Sequence, residues 1–133
     1  MQITRQADYA VRAMVYLAQL GEKAATSRIA QEKQIPPSFL AKIVSQLSVA
    51  GLLTTSRGAN GGVSLAKSPE EISLLDVVEA IDGPILLNDC VGDNADCSFG
   101  DSCELKPVWC DAQHELVMRL KKTNFGQFVH PKN

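Results

Sequence analysis

Apolar residues recur at helical spacing over residues 3–20, where Ile3, Ala7, Ala10, Val11, Met14, Leu17 and Ala18 share one face and Gly21 follows as a terminator. The pattern predicts a first helix with one buried side. Thr26 and Ser27 are suited to cap a short second helix through about Lys33 that turns Ile29 and Ala30 inward. Gln34, Ile35 and Pro36 interrupt the period, because the residue before a proline is displaced from the helical region. A third helix is predicted from Pro37, a favourable first-turn residue, through Phe39, Leu40, Ile43, Val44 and Leu47 to a terminal Gly51. Residues 52–56 then read as a strand, 58–62 as a glycine-rich turn and 63–65 as the returning strand of a hairpin. Three helices and a hairpin predict a mainly α fold with a small β wing, a winged helix-turn-helix.

Beyond the wing, Ser73 followed three residues later by Asp76 forms a capping-box pattern. It opens a fourth helix carrying Leu74, Leu75, Val77, Val78 and Ile81, which Gly83 and Pro84 end. Residues 84–103 hold little core material and predict a loop. A strong helical period returns over about 104–122, where Leu105, Trp109, Ala112, Leu116 and Leu120 make one stripe. Only a short tail with Phe125, Phe128 and Val129 is left to cover it, so the pattern predicts a homodimer in which this helix pairs with its copy. Two-fold symmetry also suits duplex DNA. The expected division is a DNA-binding region at 1–67, and a second region at 68–133 holding the 84–103 loop, the dimerisation helix and the tail.

The chain has 133 residues, enough for one core of ordinary size. No apolar run approaches the roughly 20 residues of a membrane span, and residues 1–14 lack a signal-peptide pattern, so a cytoplasmic protein without a membrane partner is expected. The net charge of -2 conceals an asymmetry. Residues 1–67 hold 8 basic and 3 acidic side chains, a net of +5, while 68–133 hold 5 basic and 12 acidic, a net of -7. A polyanion-facing first half fits this distribution, as does an acidic second half around a positive centre.

In a helix-turn-helix the second helix presents its first turns to the major groove, which places Pro37, Ser38, Ala41, Lys42 and Gln46 near DNA. Ser38 and Gln46 suit base edges or phosphate, and Lys42 suits phosphate. Arg28 and the wing residues Arg57, Gly58 and Gly61 complete the expected surface, the glycines allowing close backbone approach to the duplex.

The four cysteines, Cys90, Cys97, Cys103 and Cys110, lie in the acidic half with six, five and six residues between them. No closely spaced pair occurs, which speaks against a structural zinc site, and a cytoplasmic location disfavours stable disulfides. Gly92 and Gly100 permit bends by which one acidic loop can wrap an iron–sulfur core. Spacing alone leaves that cluster and incidental thiols both open.

Nearly the whole chain resembles the iron–sulfur and nitric-oxide responsive winged-helix repressors typified by IscR, NsrR and RirA. The matching segments are Thr4 with the run from Asp8 to Ala13, Ser38-Phe39-Leu40, residues 47–52, Arg57-Gly58 with Gly61-Gly62, Asp76-Val77-Val78, and the Cys90, Cys97 and Cys103 loop before the long helix. The resemblance implies a dimeric DNA-binding protein in which those three cysteines hold a cluster, 4Fe–4S in preference to 2Fe–2S. In IscR-type proteins a histidine three residues after the third cysteine completes the cluster; here that place is Lys106, whose ammonium does not bind iron while charged. Asp8 matches the position from which NsrR-like members supply a carboxylate from the partner subunit. Cys110 is the rival. A helix starting at Cys103 would hold it about 10 Å away along the axis, whereas a start at Pro107 would bring it nearer. His114 and His130 read as surface residues.

These readings predict a homodimeric, sequence-specific regulator that binds a palindromic double-stranded operator and senses iron, redox state or nitric oxide through its cluster. No catalysis is expected, since nothing resembles a nucleophile with its base, and 5% aromatic content argues against single-strand binding by stacking. Two other classes compete. An iron–sulfur electron carrier would have no use for the wing, and a cluster-free regulator would answer to a metabolite or partner protein.

Overall fold

A computed structural model describes residues 2–87 and 104–129 of the chain. Helix α1 (Arg5–Leu20) starts where the Thr4 hydroxyl accepts the Ala7 N–H at 3.1 Å, and ends at Gly21, whose φ of 72° is the left-handed value a side chain resists. Its buried face carries Ala7, Ala10, Ala13 and Ala18 among larger residues, so neighbouring helices approach closely.

Helix α2 (Thr26–Lys33) is capped differently from expectation. Ala25 holds the cap position without a side-chain bond, and Thr26 and Ser27 lie inside the first turn. The reason is local: Ala24 exchanges backbone hydrogen bonds of 3.0 and 2.8 Å with Val63, which holds the chain extended until Ala25 and starts the helix there. The turn to α3 (Pro37–Val49) passes through Gln34, at φ 53°. Strands β1 (Leu53–Ser56) and β2 (Gly62–Leu65) pair antiparallel, with Leu53 opposite Leu65 and Ser56 opposite Gly62.

Helix α4 (Leu74–Asp82) opens with the predicted capping box, both bonds between Ser73 and Asp76 at 3.0 Å. Helix α5 (Lys106–Lys122) has Pro107 in its first turn. The main core gathers Met14 and Leu17 from α1, Ile29 from α2, Leu40, Ile43 and Leu47 from α3, and Ile72, Val77 and Phe125 from the second half.

The surroundings of α5 change along its length. The tail does not cover its stripe: Phe125 is fully buried in the main core, its N–H donates to Ile72 O at 3.1 Å, and Gln19 donates to Phe128 O at 3.0 Å. An aromatic ring gains about 2–3 kcal/mol from burial, and a core pocket satisfies it better than a helix surface. Nor is the stripe uniformly bare. Leu116 and Leu120, with Val117, pack on Leu75, Val78 and Ile85 of the same chain, while Leu105, Val108 and Trp109 stand 56%, 57% and 37% exposed.

Candidate nucleic-acid interface and metal-binding residues

Helix α3 buries Leu40, Ile43, Val44 and Leu47 and leaves Ser38, Ala41, Lys42 and Ser45 exposed. At about 100° per residue the exposed set is centred between Lys42 and Ser45. The outward face is therefore short and hydroxyl-rich with one cation, able to come close to base edges while Lys42 meets phosphate.

Gln46, expected on that face, sits at its edge. It is half-buried, and its side-chain oxygen accepts a hydrogen bond from the Gln6 amide of α1. On the same edge the Phe39 ring meets Tyr9 of α1 edge-on, centroids 5.9 Å apart. Both residues lie roughly 40–60° from Lys42 toward α1 by helical geometry. Ser45, on the side of the helix that the apolar spacing leaves exposed, occupies the more central place.

The wing follows from backbone geometry. Gly58 has φ 98°, and a Cβ on Gly61 would lie 2.5 Å from the Ser56 carbonyl oxygen, so neither position tolerates a side chain. A Cβ on Gly62 would lie 2.7 Å from Ala24 O, at the bridge that fastens the hairpin to the start of α2. Arg57 is exposed at the turn and Arg28 is exposed on α2.

Of the candidate metal ligands, Cys90, Cys97 and Cys103 lie outside the described residues, as does His130. Among the described residues no group of three or more His, Cys, Asp or Glu is arranged to hold a metal. Cys110 is an exposed free thiol in the second turn of α5. That helix begins at Lys106, one residue before the later of the two starts considered for it. His114 is exposed.

Asp8 is also exposed, in the first turn of α1, and pairs with Arg12 at 3.1 Å. A solvent-facing pair four residues apart contributes about 0.3–0.5 kcal/mol, little enough for the carboxylate to exchange partners. The beginning of α1 is tied down independently: the Thr4 hydroxyl donates to Asp82 at 2.5 Å and the Thr4 N–H to the same carboxylate at 3.2 Å. On α5, Gln113 donates to Ile85 O and accepts the Leu87 N–H at 2.8 Å, clasping the chain where it leaves α4. No helix among the described residues is long and apolar enough to cross a membrane.

Comparison with known proteins places these features in a family. The profile of the Rrf2 family, described as iron-dependent transcriptional regulator, matches residues 3–131. Protein aau3 of Rhizobium meliloti (strain 1021) is 40% identical over 107 residues, 79% of this chain and 70% of the relative. Among solved structures, CymR (YrzC), the global cysteine regulator of B. subtilis, aligns with a TM-score of 0.79 over 98% of this chain and 99% of its own at 23% identity. T. potens IscR aligns with a TM-score of 0.72 over 94% and 83% at 24% identity. A transcriptional regulator from Listeria innocua reaches 0.82 over 100% and 90% at 23% identity. These likenesses show the winged-helix fold.

Proposed function

The chain belongs to the Rrf2 family of transcriptional regulators, which are not enzymes, and on that premise we propose that it is a homodimeric cytoplasmic repressor whose grip on a palindromic operator reports iron supply, redox state or nitric oxide. The observation that carries the DNA half of this reading is the exposed face of α3 beside a glycine-built wing. Ser38 and Ser45 supply short hydrogen-bonding groups for base edges, Lys42 and Arg28 neutralise phosphates, and Arg57 on the wing reaches a flanking groove or phosphate. In this division residues 1–67 bind DNA, and 68–133 supply the sensor and the dimer contact.

For the sensor, the donor set fits an iron–sulfur cluster: Cys90, Cys97 and Cys103 as thiolates, with Asp8 of the partner subunit as fourth ligand and Cys110 its rival. Asp8 supports the role by being exposed on a helix start that Thr4 and Asp82 fasten in place. Such a cluster, 4Fe–4S in preference to 2Fe–2S, supplies reactivity toward oxidant and nitric oxide when bound. Leu105, Val108 and Trp109, with half-buried Ala112 beside them, form the dimer contact, because among the described residues they are the most exposed apolar part of α5.

A second reading, a cluster-free regulator responding to a metabolite or partner, draws on the likeness in fold to a cysteine regulator. Anaerobic isolation followed by iron and sulfide analysis, with operator selection from a random duplex library, tests both halves. An enriched palindrome and a bound cluster are expected. An enriched palindrome without iron or sulfide favours the second reading, and no enrichment removes the DNA-binding assignment.

A further inference from the structure

We infer that Gln6 is a positioning residue for sequence recognition, setting which end of the Gln46 amide meets DNA. The inference rests on the DNA-binding reading above and goes beyond it, since Gln6 lies on α1, outside the helix-turn-helix. Its starting point is the hydrogen bond from the Gln6 side-chain amide nitrogen to the Gln46 side-chain oxygen, in a half-buried setting between the two helices.

A glutamine amide is ambidextrous: its oxygen accepts and its nitrogen donates twice, and the side chain can present either end. With one lone pair of its oxygen engaged by Gln6 and that end held toward α1, Gln46 turns its two N–H donors toward another molecule. Donors suit the acceptor edge of guanine, O6 and N7, or the thymine O4, whereas an unconstrained glutamine also makes the two-ended contact with adenine. One hydrogen bond thus converts a permissive reader into a selective one.

The backbone that carries Gln6 is held in place. It lies in the first turn of a helix whose cap residue Thr4 is bonded both to Ala7 and to Asp82, and one turn further on Tyr9 packs against Phe39 at the start of α3. Buried Ala7 and Ala10 keep α1 close. Gln46 stands about 40° around α3 from Lys42, at the edge of the exposed face, where one end of its amide can reach a groove while the other stays with α1.

The test compares the parent, Gln6→Ala, Gln6→Glu, Gln46→Ala and the Gln6→Ala/Gln46→Ala double variant in the same random-duplex selection, using the full-length dimer. Gln6→Ala should relax preference at one base pair of each half-site by about fivefold or more, the low end of a bidentate contact, with the salt dependence of binding unchanged. Gln6→Glu accepts only, so the Gln46 nitrogen must turn to it and expose the oxygen. Preference at that base pair should then move toward the donor edges of adenine or cytosine. A glutamate in the first turn of a helix is also favoured by the dipole, so this variant retains the fold. In the Gln46→Ala background, removing Gln6 should change nothing further. Identical motifs from the parent and both Gln6 variants overturn the inference, as does an equal effect of Gln6→Ala with and without Gln46. If the parent itself enriches no motif, the DNA-binding reading falls and takes this inference with it.

Discussion

Replacing Val108 with glutamate should abolish dimerisation while leaving the protomer folded. Val108 is 57% exposed on α5 and contributes to neither hydrophobic cluster, so the isolated subunit gains little from it. Full burial of a valine side chain is worth about 1.5–3 kcal/mol, so covering the exposed fraction in a dimer contributes roughly 1 kcal/mol per protomer, and two-fold symmetry doubles it. The carboxylates introduced on both copies add a desolvation and repulsion cost of at least a further 2 kcal/mol. A total near 4 kcal/mol corresponds to about a thousandfold weaker association. Sedimentation equilibrium over a concentration series measures this directly, with far-UV circular dichroism to confirm retained helix. Leu116→Glu is the informative contrast, because Leu116 packs on Leu75 and Val78 of its own chain and its replacement should unfold the protomer. A Val108→Glu protein that sediments as a dimer with the parent's dissociation constant would refute the assigned contact.

Three further outcomes are expected. Gln34 holds a left-handed conformation costing about 1–2 kcal/mol for a residue with a side chain, offset in glycine by about 0.5–1 kcal/mol of chain entropy. Gln34→Gly should therefore raise stability in urea by about 0.5–1 kcal/mol, and an unchanged or lower midpoint would contradict the strain. Lys42→Ala should reduce the salt slope of operator binding by roughly one unit, and Ser45→Ala should change base preference at an unchanged slope, both read from affinities at several salt concentrations. Asp8→Ala should lose the cluster with its fold intact, and Cys110→Ala should keep it, as judged by anaerobic absorption spectra. The opposite pattern moves the fourth-ligand role to Cys110.

The elements of the fold were legible because each carries a local signal: a capping box at Ser73, a glycine after α1, a proline opening α3, a glycine turn in the wing. The period-3.6 stripe likewise located α5. What periodicity does not say is which neighbour covers a stripe. Leu116 and Leu120 continue the pattern of Leu105 and Trp109, yet α4 covers the first two and leaves the others bare. Phe125 fills a site among α1 and residue 72, a contact between distant parts of the chain that no local pattern encodes. Gln46 shows a similar limit. Its position was read from helix-turn-helix convention, while the amide that claims its oxygen comes from Gln6, forty residues earlier.

Control of DNA binding by cluster state would show in operator affinity measured against cluster content. Protein isolated without oxygen would be titrated with nitric oxide or an iron chelator, and at each step iron, sulfide and affinity for the selected palindrome would be determined on one sample. Affinity should fall in proportion to lost cluster, and a Cys97→Ala protein, unable to assemble it, should have the low affinity from the start. Equal affinity in the cluster-loaded, cluster-depleted and Cys97→Ala proteins would contradict control by the cluster.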